Sequence, residues 1–283
     1  MKNIILYHAN CNDGSAAAMA AWLKFGEKAK YIPVQYNRPL PEIEDECHVH
    51  ILDFSYPRDV LIELHNRSSN LIVLDHHKTA MAALKDLPFA TFDLEKSGAR
   101  LAWEYFHPDR DVPELITLVE DRDLWRFKFE DTKPVAAALA LEKDFKSFAP
   151  YVENCAPLIP RGKYKLEFDR IAIDSAVKKA IATYWFGYTC IIINTNDLIS
   201  DVGANFYSKY DIDFAVMYFI TKEGEFVFSL RSNRVDVSQI VLHFGGGGHA
   251  GAAGGKLSMA QGARLLELLY ANSFKLEDLR IKL

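Results

Sequence analysis

The chain has 283 residues, 49% of them hydrophobic and 12% aromatic. That is enough apolar material for one large domain or two ordinary ones with true cores, which rules out a disordered or fibrous chain. Its 33 basic and 38 acidic side chains give a formal charge of −5 with no polybasic tail, a balance that argues against coating of long nucleic acid.

An apolar run, NIILY (3–7), ends at His8, and the Ala-rich SAAAMAAWLKF follows Gly14, so strand, loop and helix are expected. The pattern recurs with CHVHILD up to Asp53 and the helix-like PRDVLIELHNR, and again with NLIVLD up to Asp75 and a further helical segment. Strands that are apolar along most of their length and alternate with helices predict a parallel sheet covered on both faces. Ligands of such sheets bind beyond the carboxyl ends of the strands. SGARLAWEYF (97–106) and ELITLVEDRDLW (114–125) read as helices, with Asp121 and Asp123 closing the second. From about 151 to 185, a loop-like CAPLIPRGKY leads into KLEFDRIAIDSAVKKAIATYWF, whose helical periodicity predicts a connecting helix between two domains. Beyond Tyr188, YTCIIINT, DFAVMYFI and EFVFSLR read as strands, with helices near 201–209, 236–243 and the C-terminus.

Cys11, Cys47, Cys155 and Cys190 are scattered with no CxxC pair, which fits free thiols in a reducing cytoplasm rather than a secreted disulfide scaffold. MKNIILYH is no signal peptide and no apolar run is long enough to span a membrane, so a cytoplasmic location is expected.

Chemistry concentrates where the predicted strands end. Asp75, His76 and His77 follow NLIVL, where adjacent residues point in different directions, so one imidazole can bind a metal while the next faces a substrate. Two surface histidines in a loop are the plain alternative. Adding His8 with Asp13, Asp53, and Asp121 with Asp123 gives more imidazole and carboxylate than one tetrahedral site needs. Such a set suits two Mn²⁺ ions, with Mg²⁺, Co²⁺ or Zn²⁺ as other candidates. Two adjacent metals acidify a water and clamp both oxygens of a phosphoryl displacement. Residues 1–150 hold 18 basic against 24 acidic side chains, an excess that a cation would relieve.

The second concentration is GGGGHAGAAGG (245–255), which holds seven of the fifteen glycines. Consecutive glycines let backbone N–H groups converge on an anion, and His249 adds a donor. The alternative, a tight turn between a helix and an edge strand, needs one or two glycines rather than seven. Arg231, closing a strand-like run, offers a guanidinium fork to a terminal phosphate. The four tryptophans read as packing residues rather than stacking platforms.

These residues together resemble the DHH family of phosphoesterases with a DHH-associated C-terminal domain, the group that includes RecJ exonucleases and bacterial oligoribonucleases. The resemblance rests on HANCNDG (8–14), ILD (51–53), LDHH (74–77), EDRDLW (120–125), SLRS (229–232) and GGGGH (245–249), in the expected order across both halves. It implies that His8, Asp13, Asp53, His76 and Asp121 bind metal, with Asp53 bridging two ions. It implies too that Asp75 holds His76 and that His77 is the catalytic donor to the scissile phosphate. Arg231, Gly245, Gly246, Gly247, Gly248 and His249 would grip the nucleotide end. Asp121 is preferred to Asp123 because it matches the first Asp of the fourth motif. One departure stands in the first motif. Where the family usually carries two carboxylates, as in DxDG, Cys11 lies two residues before Asp13 with Asn10 and Asn12 beside it, which leaves the metal preference open.

The expected fold class is α/β: a parallel-sheet DHH metal-binding catalytic domain over 1–150, a linker with a connecting helix over 151–185, and a smaller α/β DHH-associated substrate-binding domain over 186–283, with the catalytic cleft between them. The expected activity is metal-dependent hydrolysis of phosphodiester bonds in short oligonucleotides or dinucleotides to mononucleotides. A nucleotide-monoester phosphatase, an exopolyphosphatase and, in another class, a non-catalytic nucleotide sensor are the alternatives. With no basic channel, long duplex nucleic acid is not an expected partner, nor is a membrane; a homodimer is left open.

Overall fold

The computed structural model describes residues 2–36 and 38–279. Two compact units divide the chain, residues 1–167 and 168–283.

The first unit begins with β1 (Asn3–His8), α1 (Asn12–Phe25), β2 (Ala29–Val34), β3 (His48–Leu52), α2 (Arg58–Arg67), β4 (Asn70–Asp75), α3 (Lys78–Leu84) and β5 (Ala90–Phe92). It continues through α4 (Gly98–Phe106), α5 (Glu114–Asp123) and α6 (Thr132–Leu139), and α7 (Ile159–Val177) runs across the division. The five strands form one sheet in the order β2-β1-β3-β4-β5, with every pair parallel. The expected parallel sheet covered on both faces is what the chain builds. In β1, Ile5 packs into one core with α1, α4 and α5, while Ile4 and Leu6 pack into the other with Leu61 and Leu64 of α2. Strands buried on both sides need apolar residues at successive positions, which is why NIIL and NLIVL show no alternation.

Residues 16–21 of α1 are all buried, and the small side chains of its five alanines there let α1 lie close against Ala99, Ala102 and Trp103 of α4. Trp103 is fully enclosed, and its indole N–H donates to the Asp111 carbonyl at 3.0 Å. Packing is thus its role, as expected of the tryptophans.

The second unit contains β6 (Ile181–Trp185), β7 (Tyr188–Asn194), α8 (Ile199–Lys209), β8 (Phe214–Ile220), β9 (Phe226–Arg231), α9 (Val237–Leu242), β10 (Gly247–His249), β11 (Ala252–Leu257) and α10 (Met259–Ala271). Its sheet has the order β10-β11-β9-β8-β7-β6, mixed because only β7 and β8 run parallel. Phe214, Val216 and Tyr218 of β8 face a core shared with α9 and α10, while Ala215 and Met217 face one shared with Val202 and Phe206 of α8.

One expectation fails here. The stretch IATYW, counted as the end of the connecting helix, is the strand β6, because α7 stops at Val177 and residues 181–185 pair antiparallel with β7. All four cysteines are free thiols, and no helix among the described residues is long and apolar enough to cross a membrane.

Candidate metal centre

His8 is the last residue of β1, Asp53 follows β3, and His76 and His77 follow Asp75 at the end of β4. A parallel sheet by itself therefore delivers them to one edge. Asp13 comes from the first turn of α1 and Asp123 from the last residue of α5.

Around the buried Nε2 of His76 lie Asp53 Oδ1 at 3.2 Å, Asp13 Oδ2 at 3.5 Å and Asp123 Oδ2 at 3.5 Å. His8 Nδ1 approaches the other oxygen of Asp53, Oδ2, at 3.3 Å. Asp53 thus faces His8 with one oxygen and His76 with the other. Two of the donor groups that result are His8 with Cys11 and Asp53, and Asp13 with His76 and Asp123, and another joins Asp53 to Asp75 and His77; within each, the ligand atoms lie within 4.8 Å of one another.

The local backbone explains why these side chains stay in place. The carboxylate of Asp13, 1% exposed, accepts from the backbone N–H groups of Gly98 at 2.6 Å and Ala99 at 2.9 Å. These are free donors at the N-terminus of α4, where the helix favours negative charge. A side chain at position 98 would put its Cβ 2.4 Å from Asp53 Cβ, so the glycine is a condition of the close approach. Position 14 is tighter still, since a Cβ there would sit 2.2 Å from the carbonyl oxygen of His8. Asp53 itself has φ of +55°, in the left-handed region, and its N–H is tied to the Leu74 carbonyl at 2.9 Å.

The electrostatics of this cluster call for a cation. Burial and the facing carboxylates of Asp53 and Asp123 push Asp13 well above the ordinary carboxylate range. Burial works against charge on Asp53 as well, but the imidazoles of His76 and His8 outweigh it and hold that carboxyl well below its usual value. Burial opposes charge on His76 too, and the surrounding carboxylates overcome it, raising the imidazole to about 10. Asp53 Oδ1 is buried without an aligned hydrogen bond. Three carboxylates around one proton-holding imidazole, with a buried oxygen unsatisfied, form an oxygen- and nitrogen-rich donor set that fits divalent metal.

A proton count follows. His76 must give up the proton on Nε2 to ligate through that atom, so loading the metal-free protein at pH 8 is expected to release at least one proton per chain. Affinity then rises about tenfold per pH unit toward pH 10, the direction of a metal competing with a proton. Calorimetric titration with Mn²⁺ in buffers of different ionisation enthalpy measures this; zero proton release would overturn it.

Beside the cluster stands a tight pair. Asp75, fully buried, accepts from His77 Nδ1 at 2.6 Å through Oδ1 and from Ser55 Oγ at 2.5 Å through Oδ2. Burial opposes charge on both members, yet His77 and Ser55 hold Asp75 below its ordinary value, and Asp75 raises His77 above its own. The rings of His8 and His77 are flanked by Tyr36, at centroid distances of 5.4 and 5.7 Å, a neighbour that no motif announced.

Two residues are not arranged as expected. Asp121 turns away from the cluster: its carboxylate accepts from Lys128 N at 3.0 Å, Phe129 N at 3.4 Å and Thr132 Oγ1 at 2.5 Å, so it fastens the 124–132 turn. Asp123, two residues on and therefore on a different helical face, is the one beside His76. Asp75 grips the ring of His77 and not that of His76, which it meets through the backbone N–H at 2.7 Å.

In the second unit, Arg231 of β9 and His249 of β10 are both register partners of Ala252 in β11. Antiparallel partners share a face, so the register sets Arg231 and His249 on one row of the sheet. Arg231 Nε donates to Ser200 Oγ at 3.0 Å, and the absence of a side chain at Gly203 leaves room for it, since a Cβ there would lie 2.7 Å from Arg231 Cβ. The glycine run is also an edge hairpin: Gly245 turns with φ of +73°, and a Cβ at Gly246 would meet the Gly254 carbonyl at 2.3 Å.

Residues 188–272 match the DHHA1 domain. The whole chain has the fold of exonuclease RecJ bound to manganese, with a TM-score of 0.53 at 12% identity over 95% of this chain and 89% of that one. The second unit thus carries a DHHA1 domain, and the chain shares the fold of RecJ. A second DHH-fold structure, the pGpG-specific phosphodiesterase PggH from Vibrio cholerae, aligns at TM-score 0.50 and 14% identity, covering 94% of this chain and 97% of that one. Among curated proteins, the uncharacterized protein R106 of Acanthamoeba polyphaga mimivirus is 32% identical over 89% of this chain, which spans 66% of that protein's length. The side chains of Asp75, His76 and His77 divide between the donor cluster and the pair beside it.

Proposed function

We propose that this chain is a DHH-family, metal-dependent phosphoesterase that hydrolyses phosphodiester bonds of short oligonucleotides or dinucleotides to mononucleotides. The observation that carries the reading is the convergence of Asp13, Asp53 and Asp123 on His76, with His8 on the far oxygen of Asp53 and Cys11 grouped with both. Divalent cations bound there would acidify a water and offset the charge that builds on phosphoryl oxygens. Asp53 holds the two ligand groups at a common carboxylate, and the α4 N–H groups fix Asp13.

His77 acts beside them. With Nδ1 held by Asp75, the ring would donate to a phosphoryl oxygen through Nε2, and the buried carboxylate orients it and raises it above the ordinary imidazole range. Asp75→Asn should leave the fold intact and lower kcat by about ten- to a hundredfold, with KM little altered, because the ring loses its orienting partner. An unchanged kcat would remove the pair from the reaction.

Short substrates are supported by charge and shape. A cavity of about 380 Å³ is bounded by Ala9, the residue after His8, with Asn10, Arg38, Pro39, Pro41 and Tyr56, and no extended basic track accompanies it in the composition. Arg231, Gly245, Gly246, Gly247, Gly248 and His249 are proposed as the substrate-binding set of the DHHA1 unit. RecJ and PggH, which share the fold, are named for acting on nucleotide phosphodiesters, in line with this class.

The test is hydrolysis with Mn²⁺ of an end-labelled dinucleotide, a twenty-nucleotide strand and polyphosphate. The dinucleotide is expected to be cleaved fastest; preference for the long strand or for polyphosphate would sink the substrate assignment, and ligand binding with no product would favour the sensor.

A further inference from the structure

Three of the four cysteines are explained by packing: Cys47, Cys155 and Cys190 are buried members of apolar cores. Cys11 is different. It stands half-buried at the N-terminal end of α1, outside the apolar cores, with backbone angles of −133° and 136° that precede the helix. Its Sγ, a ring nitrogen of His8 and a carboxylate oxygen of Asp53 lie within 4.8 Å of one another. Asp53 is 1% exposed there, with its Oδ2 3.3 Å from His8 Nδ1. A free cysteine normally behaves as a small hydrophobe; one placed among an imidazole and a carboxylate is positioned by its chemistry.

The two donor groups on either side of Asp53 are thus chemically unlike. Asp13, His76 and Asp123 offer oxygen and nitrogen, whereas His8, Cys11 and Asp53 offer nitrogen, sulfur and oxygen. Thiolate selects softer ions such as Zn²⁺ and Co²⁺, while carboxylate-rich sets accept Mn²⁺ and Mg²⁺.

We propose that Cys11 is a thiolate ligand at the His8–Asp53 position, so that this position takes Zn²⁺ or Co²⁺ while the Asp13–His76–Asp123 position takes Mn²⁺ or Mg²⁺. The inference rests on the metal-centre reading above. On loading, the S–H bond breaks, a metal–sulfur bond forms with both electrons from sulfur, and the proton passes to the buffer; no oxidant or reductant is involved.

Titration of the metal-stripped full chain with Co²⁺ separates this claim from the reading beneath it. Equilibrium dialysis and the visible d–d bands report whether cobalt binds at all, and a near-ultraviolet sulfur-to-cobalt charge-transfer band reports the thiolate. The expected result is both signals in the native chain. Cys11→Ser and Cys11→Asp should keep the d–d bands and lose the charge-transfer band, and Cys11→Asp should lower the preference for Zn²⁺ over Mn²⁺ by about tenfold or more. Bound cobalt without a charge-transfer band, or a band that survives in Cys11→Ser, overturns the role of Cys11 and leaves the metal centre standing. Failure of the native chain to bind cobalt overturns the metal centre itself.

Discussion

Asp53→Asn is expected to abolish turnover while the chain stays folded. The substitution keeps shape and tolerance of the left-handed backbone, which asparagine shares, so the Leu74 tie survives. What goes is one anionic oxygen pair that faces both His8 and His76. Metal-centred charge stabilisation contributes several kcal/mol, so the loss should approach about a thousandfold in kcat/KM. Far-ultraviolet circular dichroism and metal content, measured alongside rates, distinguish a lost site from a lost fold. Turnover within a few fold of the native chain would place the reaction elsewhere.

Gly98→Ala is expected to damage stability and site together. The new methyl would lie 2.4 Å from Asp53 Cβ and 2.8 Å from its Cα, distances that real side chains do not adopt. Either α4 retreats, breaking the Gly98 and Ala99 donations to Asp13, or Asp53 moves out of reach of His76. Overpacking of this kind costs about 3 kcal/mol, which for a unit of this size lowers Tm by on the order of 10 °C. Thermal unfolding with and without Mn²⁺ checks it: the native chain should gain stability from the metal and the variant should gain little. An unaltered Tm with full metal response would show that the contact opens freely.

Much of this arrangement was legible in the residues. The apolar runs before His8, Asp53 and Asp75 announced buried parallel strands, and such strands end at a common edge, so the convergence of His8, Asp53 and His76 followed from pattern alone. Other elements left weaker marks. β2 carries Pro33 and lies at the sheet edge half-exposed, β5 is three residues long, and β6 sits in a run whose periodicity also suits a helix. The choice between Asp121 and Asp123 depends on how 124–132 folds back onto α5, which no helical phase reveals. Gly98 carries no motif at all; its importance is a distance of closest approach between a helix and a turn far apart in the chain. In the glycine run, anion binding and hairpin packing call for the same residue, so sequence could not separate them.

The left-handed turn at Asp53 narrows what can ever occupy that position. Glycine is at ease there, asparagine and aspartate are tolerated, and branched residues are shut out. Backbone therefore shortlists three candidates and reactivity discards two. Descendants that drift to either discarded choice would keep their architecture while losing their trade, so inert look-alikes of this chain would pass any comparison of shape and be exposed only at a single letter.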